Sequence, residues 1–159
     1  MHNCFADGLI HQIVDDYSDM VIRIALQYVR SRPDAEDIMQ EVFLSLLGRP
    51  AFADGQHLKA WLIRVTINKS KNHLKKLKRR RETALDLADN HLTHEQAEML
   101  EELSLLPEDD RNIIYLYYYE GYSASEIGGI IGKKQKAVLM RLSRARAKLR
   151  HLLEERQEY

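Results

Sequence analysis

LPEDDRNIIYLYYYEGYSASEIGGIIGKKQKAVLMRLSRARAKLR, residues 106–150, decides the fold. At its centre, Tyr122-Ser-Ala-Ser-Glu126 is a helix start. Ser123 and Glu126 have capping-box spacing, and Tyr122 and Ile127 can form a hydrophobic staple. The helix begun there, Ala124–Ile131, is short and stops at Gly132. A longer helix is expected from about Gln135 to Glu154, with Val138, Leu142, Ala145, Leu149 and Leu152 inward at spacings of three and four. Upstream, Pro107 suits a first helical position, and Glu108, Asp109 and Asp110 complement the first turn. Ile113, Ile114, Leu116 and Tyr117 face inward until Gly121 ends that helix. In the run Tyr117, Tyr118, Tyr119, core packing with one exposed ring is expected.

A short helix, a glycine turn and a longer basic helix make a helix-turn-helix, whose second helix enters the major groove by its N-terminal residues. Lys133, Lys134, Gln135 and Lys136 stand at that end. Arg141, Arg144, Arg146, Lys148 and Arg150 follow along the exposed side. Lysine and arginine hold phosphates by charge, while glutamine and arginine also make paired hydrogen bonds to base edges.

The same period extends upstream. A first helix is expected from about Ala6 to Val29, with Ile10, Ile13, Val14, Tyr17, Met20, Val21, Ile24, Ala25 and Tyr28 on one stripe. Ser31-Arg-Pro-Asp34 interrupts it, and Asp34 is the expected cap of a second helix, about Ala35 to Leu47. Its buried face is Ala35, Ile38, Met39, Val42, Phe43, Leu46 and Leu47, and Gly48 is the expected stop. After a loop over Arg49–His57, a third helix runs from about Leu58 to Arg80. Its first half carries Leu58, Trp61, Leu62, Val65 and Ile67. Its second half is lysine and arginine with only Leu74 and Leu77 to bury. Residues 82–93 are acidic and weakly periodic, and a short helix is expected over 94–105.

The chain has 159 residues, 45% of them hydrophobic, with 7 glycines and 3 prolines. So few turn formers argue against a many-stranded β fold. The expected fold is all-α: a helical domain over 1–81, a linker over 82–93, and a helix-turn-helix domain over 94–159. Cys4 is the single cysteine, which excludes an internal disulfide or a cysteine-built zinc site and suits a reducing cytoplasm. No signal-like start and no bilayer-length apolar run are found, so cytoplasmic placement without membrane insertion is expected. The spacing His91-x-x-His94 is read as incidental, and neither a metal nor another cofactor is expected. No phosphate loop, nucleophile motif or paired catalytic carboxylates are present, so an enzyme is not expected.

The net charge of zero conceals a segregation. Residues 1–54 hold nine acids and four bases. Residues 55–81 hold ten bases and no acid, 82–110 ten acids and no base, and 111–159 ten bases against five acids. One basic run is as readily a solvated helix face as a polyanion site. Two such runs, each ending a separate helical unit, favour nucleic acid.

DAEDIMQEVFLSLL (34–47), HLKAWLIRVTINKSKNHLKK (57–76), LLPEDDRNIIYLYYYEGYSASEIGGIIG (105–132) and RLSRARAKLR (141–150) together resemble the extracytoplasmic-function (ECF) group of bacterial sigma factors, in the right order over nearly the whole chain. The resemblance implies that the helix bearing Asp37, Gln40 and Glu41 docks on core RNA polymerase; N-terminal capping is the plainer role for those acids. It implies that the loop Arg49–His57 and the helix around Trp61, Arg64, Asn68 and Lys69 read and melt the −10 promoter element. For Trp61 a core position is the preferred reading. It implies that the helix-turn-helix, with Lys133, Lys134, Gln135, Lys136, Arg141, Arg144 and Arg146, reads the −35 element, and that an anti-sigma factor holds the protein inactive. The chain departs from the family at Ala137-Val138-Leu139, where Thr-Val-Lys is common, and at Lys133 and Lys134, where smaller or apolar residues are usual. The resemblance therefore implies no particular −35 sequence. The rival from the residues alone is a stand-alone regulator that dimerises on a two-fold operator.

Overall fold

A computed structural model of the chain describes residues 7–48, 52–81 and 106–157. The described residues are helical, with no strand, and fall into two units, Met1–Leu92 and Thr93–Tyr159. The linker expected over 82–93, the short helix expected over 94–105, and the His91/His94 pair lie outside the described residues.

The first unit packs three helices against one another: α1 (Asp7–Val29), α2 (Arg32–Leu46) and α3 (Gly55–Arg81). The apolar stripes meet, and burial reaches beyond the expected ones to Leu26 and Ile63. Val21, Ile24, Ala25 and Leu26 of α1, Ile38, Val42 and Leu46 of α2, and Leu62 and Ile63 of α3 are excluded from solvent. Each of the larger of these side chains contributes about 1.5–3 kcal/mol by burial. Thr66 is buried among them without penalty, because its hydroxyl donates to the Leu62 carbonyl at 2.6 Å.

Both α2 and α3 begin before their apolar stripes do. Ser31, not Asp34, caps α2: its backbone is extended (φ −123°, ψ 131°), its Oγ accepts the Asp34 N–H at 3.4 Å, and Pro33 sits in the first turn, where its missing N–H is harmless. The Asp34 side chain is thereby available to α3, and its Oδ1 lies 3.3 Å from His73 Nε2. Asp54 similarly opens α3, accepting the His57 N–H at 2.7 Å, so the helix starts at Gly55 and the preceding loop is shorter than expected. At its other end α2 stops at Leu46, with Leu47 rather than Gly48 as cap, and Leu47 is exposed. Phe43 is only half-buried.

The second unit holds α4 (Glu108–Ile114), α5 (Ala124–Ile131) and α6 (Gln135–Gln157). Pro107 is the residue before α4 rather than its first. The chain runs out of α4 into a π-helical segment, Tyr115–Tyr119, in which the Glu120 N–H reaches back to the Tyr115 carbonyl at 3.2 Å. The widened turn shifts the stripe by a residue. Tyr115 is buried beside Leu116, Tyr117 is half-buried, and both Tyr118 and Tyr119 face solvent (59% and 52%), against one exposed ring expected. Along α6, Val138, Leu142 and Ala145 are buried and Leu149 half-buried; Leu152 lies outside the described side chains.

The capping box is complete. Ser123 Oγ accepts the Glu126 N–H, and Glu126 Oε1 accepts the Ser123 N–H, each at 3.1 Å. These bonds, first the one from the Ser123 backbone, hold the Glu126 carboxyl below its ordinary 4.5. A group lowered by folding adds stability above its unfolded value and loses it as pH falls through the folded value. Wild-type protein is therefore expected to lose more second-unit stability than Glu126→Gln below about pH 5, read by thermal unfolding across an acid series. Equal slopes for the two proteins would contradict the capping account.

Candidate nucleic-acid interface

Two glycines shape the turn between α5 and α6. Gly132 takes the left-handed conformation (φ 73°, ψ 33°) that a side chain would strain. The Gly128 carbonyl receives the N–H of Gly132 and, at 2.9 Å, that of Lys133. A Cβ on Gly128 would stand 2.5 Å from the Lys133 carbonyl oxygen. The absence of that Cβ lets the turn fold tightly over α5 and sets the direction in which α6 leaves.

That direction delivers the expected cluster. Lys133, Lys134, Gln135 and Lys136 are all exposed at the start of α6, and Arg144, Arg146, Lys148 and Arg150 are exposed behind them. Two of the arginines are engaged within the unit. Arg141 is half-buried, with Nη1 3.2 Å from Asp110 Oδ1 of α4. The Arg146 guanidinium lies over the rings of Tyr117 and Tyr118, at 5.3 and 5.4 Å, a cation–π arrangement. Sequence spacing shows neither contact, because the partners sit on other elements.

On α3, Arg64, Asn68, Lys71, Lys75 and Lys78 recur at three and four and are all exposed, forming one polar, mainly basic stripe. Trp61 heads it, half-buried, with Phe52 5.4 Å away and Phe52 in turn 5.2 Å from the His57 ring. Phe52 has no signal in the sequence, since a lone aromatic in a loop has no periodicity. Lys69 does not join the stripe. Its Nζ lies 4.0 Å from Glu41 Oε2, between α3 and α2.

On α2, Asp37, Gln40 and Glu41 are exposed together. Leu44, one turn on, is 65% exposed on the same side, an apolar residue in a polar surround. Its sequence signal is that it lies off the stripe of Ile38, Val42 and Leu46. The faces of α2, α3 and α6 thus differ in chemistry: acidic with an apolar point, basic with an aromatic head, and basic with a helix end.

Both units are similar to known proteins. The sigma-70 region 2 profile matches residues 13–80, and the sigma-70 region 4 profile matches 96–149. The sigma factor CarQ of Myxococcus xanthus is 30% identical over 95% of this chain and 94% of its own length. The probable sigma factor RfaY of Xanthomonas campestris pv. campestris is 34% identical over 91% of this chain, and the ECF sigma factor SigE of Mycolicibacterium smegmatis 28% over 89%. The chain spans only 40% of RfaY and 60% of SigE. Among solved structures, CnrH in complex with the cytosolic domain of CnrY matches at TM-score 0.71 and 25% identity, covering 94% of this chain and 90% of that one. The sigma factor RpoE, solved with the anti-sigma factor NepR from Bartonella quintana, shares the fold at TM-score 0.72 and 24% identity, covering 91% and 96%.

Proposed function

The chain belongs to the ECF group of the sigma-70 family, and from that premise we propose that it binds core RNA polymerase and directs initiation at promoters carrying its own −10 and −35 elements. The observation that carries the assignment is the α5–α6 hairpin, whose glycine turn presents Lys133 to Lys136 at the end of a helix suited to the major groove.

Each face takes a separate task. The α6 end, with Lys133, Lys134, Gln135, Lys136 and Arg144, contacts duplex at the −35 element. Arg141 and Arg146 reach DNA from positions set by Asp110 and by the tyrosine rings. The α3 stripe, with Arg64 and Asn68, follows the backbone of the −10 strand. Trp61 and Phe52 at its head supply an aromatic surface on which an unstacked base can rest. Asp37, Gln40 and Glu41 dock on polymerase, with Leu44 as the apolar contact among them. Lys69 is the exception among the −10 residues: its amine lies toward Glu41 of the docking face rather than along the α3 stripe.

Bond-making chemistry stays with the polymerase, and the chain contributes recognition and strand capture. A soluble anti-sigma partner, or a soluble domain of one, would cover these same faces. Among the described residues no helix is long and apolar enough to cross a membrane.

The test is co-elution of the full chain with core polymerase, and its titration on duplex DNA without polymerase. A stable complex with core and weak, steeply salt-dependent DNA binding alone are expected. A free dimer that binds a two-fold operator tightly, with no affinity for core, would overturn the assignment in favour of a stand-alone regulator.

A further inference from the structure

Two large apolar side chains interrupt the basic surface of α6. Leu139 is 49% exposed and Met140 56%. They follow Lys136 by three and four residues and precede Ser143 by the same intervals, so the four share one helix face, and all are exposed. The opposite stripe, Val138, Leu142 and Ala145, is buried. A single surface leucine needs no explanation. This pair is adjacent, lies in the second turn of the helix that the glycine turn projects, and is bordered by Lys133, Lys134, Lys136 and Arg144. A basic rim around an apolar centre matches the major groove, where phosphates flank a floor whose apolar feature is the thymine C5-methyl group.

We propose that Leu139 and Met140 select thymine in the −35 element by packing against its methyl group. The inference rests on the sigma-factor assignment and goes beyond it by naming the base feature recognised. A lysine or arginine at position 139 would seek the acceptor edge of guanine. Leucine offers no hydrogen bond, and next to Met140 it gains only by covering apolar surface. Specificity at these positions therefore favours thymine, while the surrounding lysines hold phosphates without regard to sequence.

The test uses the full chain reconstituted with core polymerase and a template library randomised across the upstream element. Enrichment of thymine at one or two positions is expected. Replacing such a thymine by deoxyuridine removes only the methyl and should weaken the complex about fourfold, the factor carried by one buried methyl group. In the double variant Leu139→Ala, Met140→Ala the same replacement should have almost no effect, while binding to core is unchanged; both sites are exposed and alanine favours the helix. The proposal is overturned if no thymine is enriched, or if the methyl matters equally in both proteins. It is also overturned if the double variant loses core binding, which would make the patch a protein contact. Those outcomes leave the sigma assignment standing, whereas a selection that enriches no template at all removes both.

Discussion

Gly128→Ala unfolds the second unit at a markedly lower temperature than the wild type and abolishes −35-dependent binding. The added Cβ would meet the Lys133 carbonyl oxygen at 2.5 Å, with Lys133 C and Gln135 N at 3.5 Å behind it. All three are backbone atoms, so no side chain can swing aside, and the turn itself must open. Overpacking of this kind costs about 3 kcal/mol, which for a domain this small lowers Tm by roughly 12–24 °C. Gly129 is the internal control. It is exposed within the same helix, and a Cβ there would meet nothing within 4 Å. Gly129→Ala is expected to stabilise by about 0.5–1 kcal/mol, the helix-propensity difference. Opposite signs at adjacent glycines, read by calorimetry on the full chain, are a signature of the tight turn. Equal and small effects would mean that the turn is not as close as 2.5 Å.

Reversing charge on α2 with Asp37→Arg and Glu41→Arg weakens association with core polymerase by about 100-fold or more, since like-charge contacts at an interface cost several kcal/mol. Both positions are exposed, and the Glu41–Lys69 contact at 4.0 Å is too long and too wet to hold the unit together. The fold should survive, with helical content unchanged by circular dichroism. Binding of the isolated chain to duplex DNA should also survive, because α6 is untouched. Leu44→Ala, at 65% exposure, is expected to weaken core binding about tenfold with no loss of stability. Core affinity unchanged in both variants would remove α2 as the docking face.

What could be read from sequence follows from the range of each signal. The bounds of α5 come out as expected because its start is written in Ser123 and Glu126 and its end in Gly132, all local. Most of the buried stripe of α1 follows from periodicity over many residues, whereas in α3 only Leu62 and Ile67 of the expected face are buried, Leu58, Trp61 and Val65 are half-buried, and Ile63 and Thr66 are buried off that stripe. Periodicity is blind to a polar first turn, which is why α2 and α3 begin at Arg32 and Gly55 rather than at Ala35 and Leu58. It fails again after Ile114, where one π turn displaces the stripe and turns Tyr118 and Tyr119 both outward. At the candidate interface, the residue types at the start of α6 are legible in the sequence. The Asp110 and tyrosine partners of Arg141 and Arg146 are not, because those contacts join positions far apart in the chain. Leu139 and Met140 carry a signal that charge counting overlooks: apolar residues outside the buried stripe of a basic helix.

Run-off transcription with purified core polymerase, with and without the full chain, on templates selected with the reconstituted complex tests the central claim most directly. Transcripts that start at one position only when the chain is present, and that vanish when the upstream element is scrambled or Gly128→Ala is used, are the predicted result. Initiation that is unchanged by the chain on every template would contradict it.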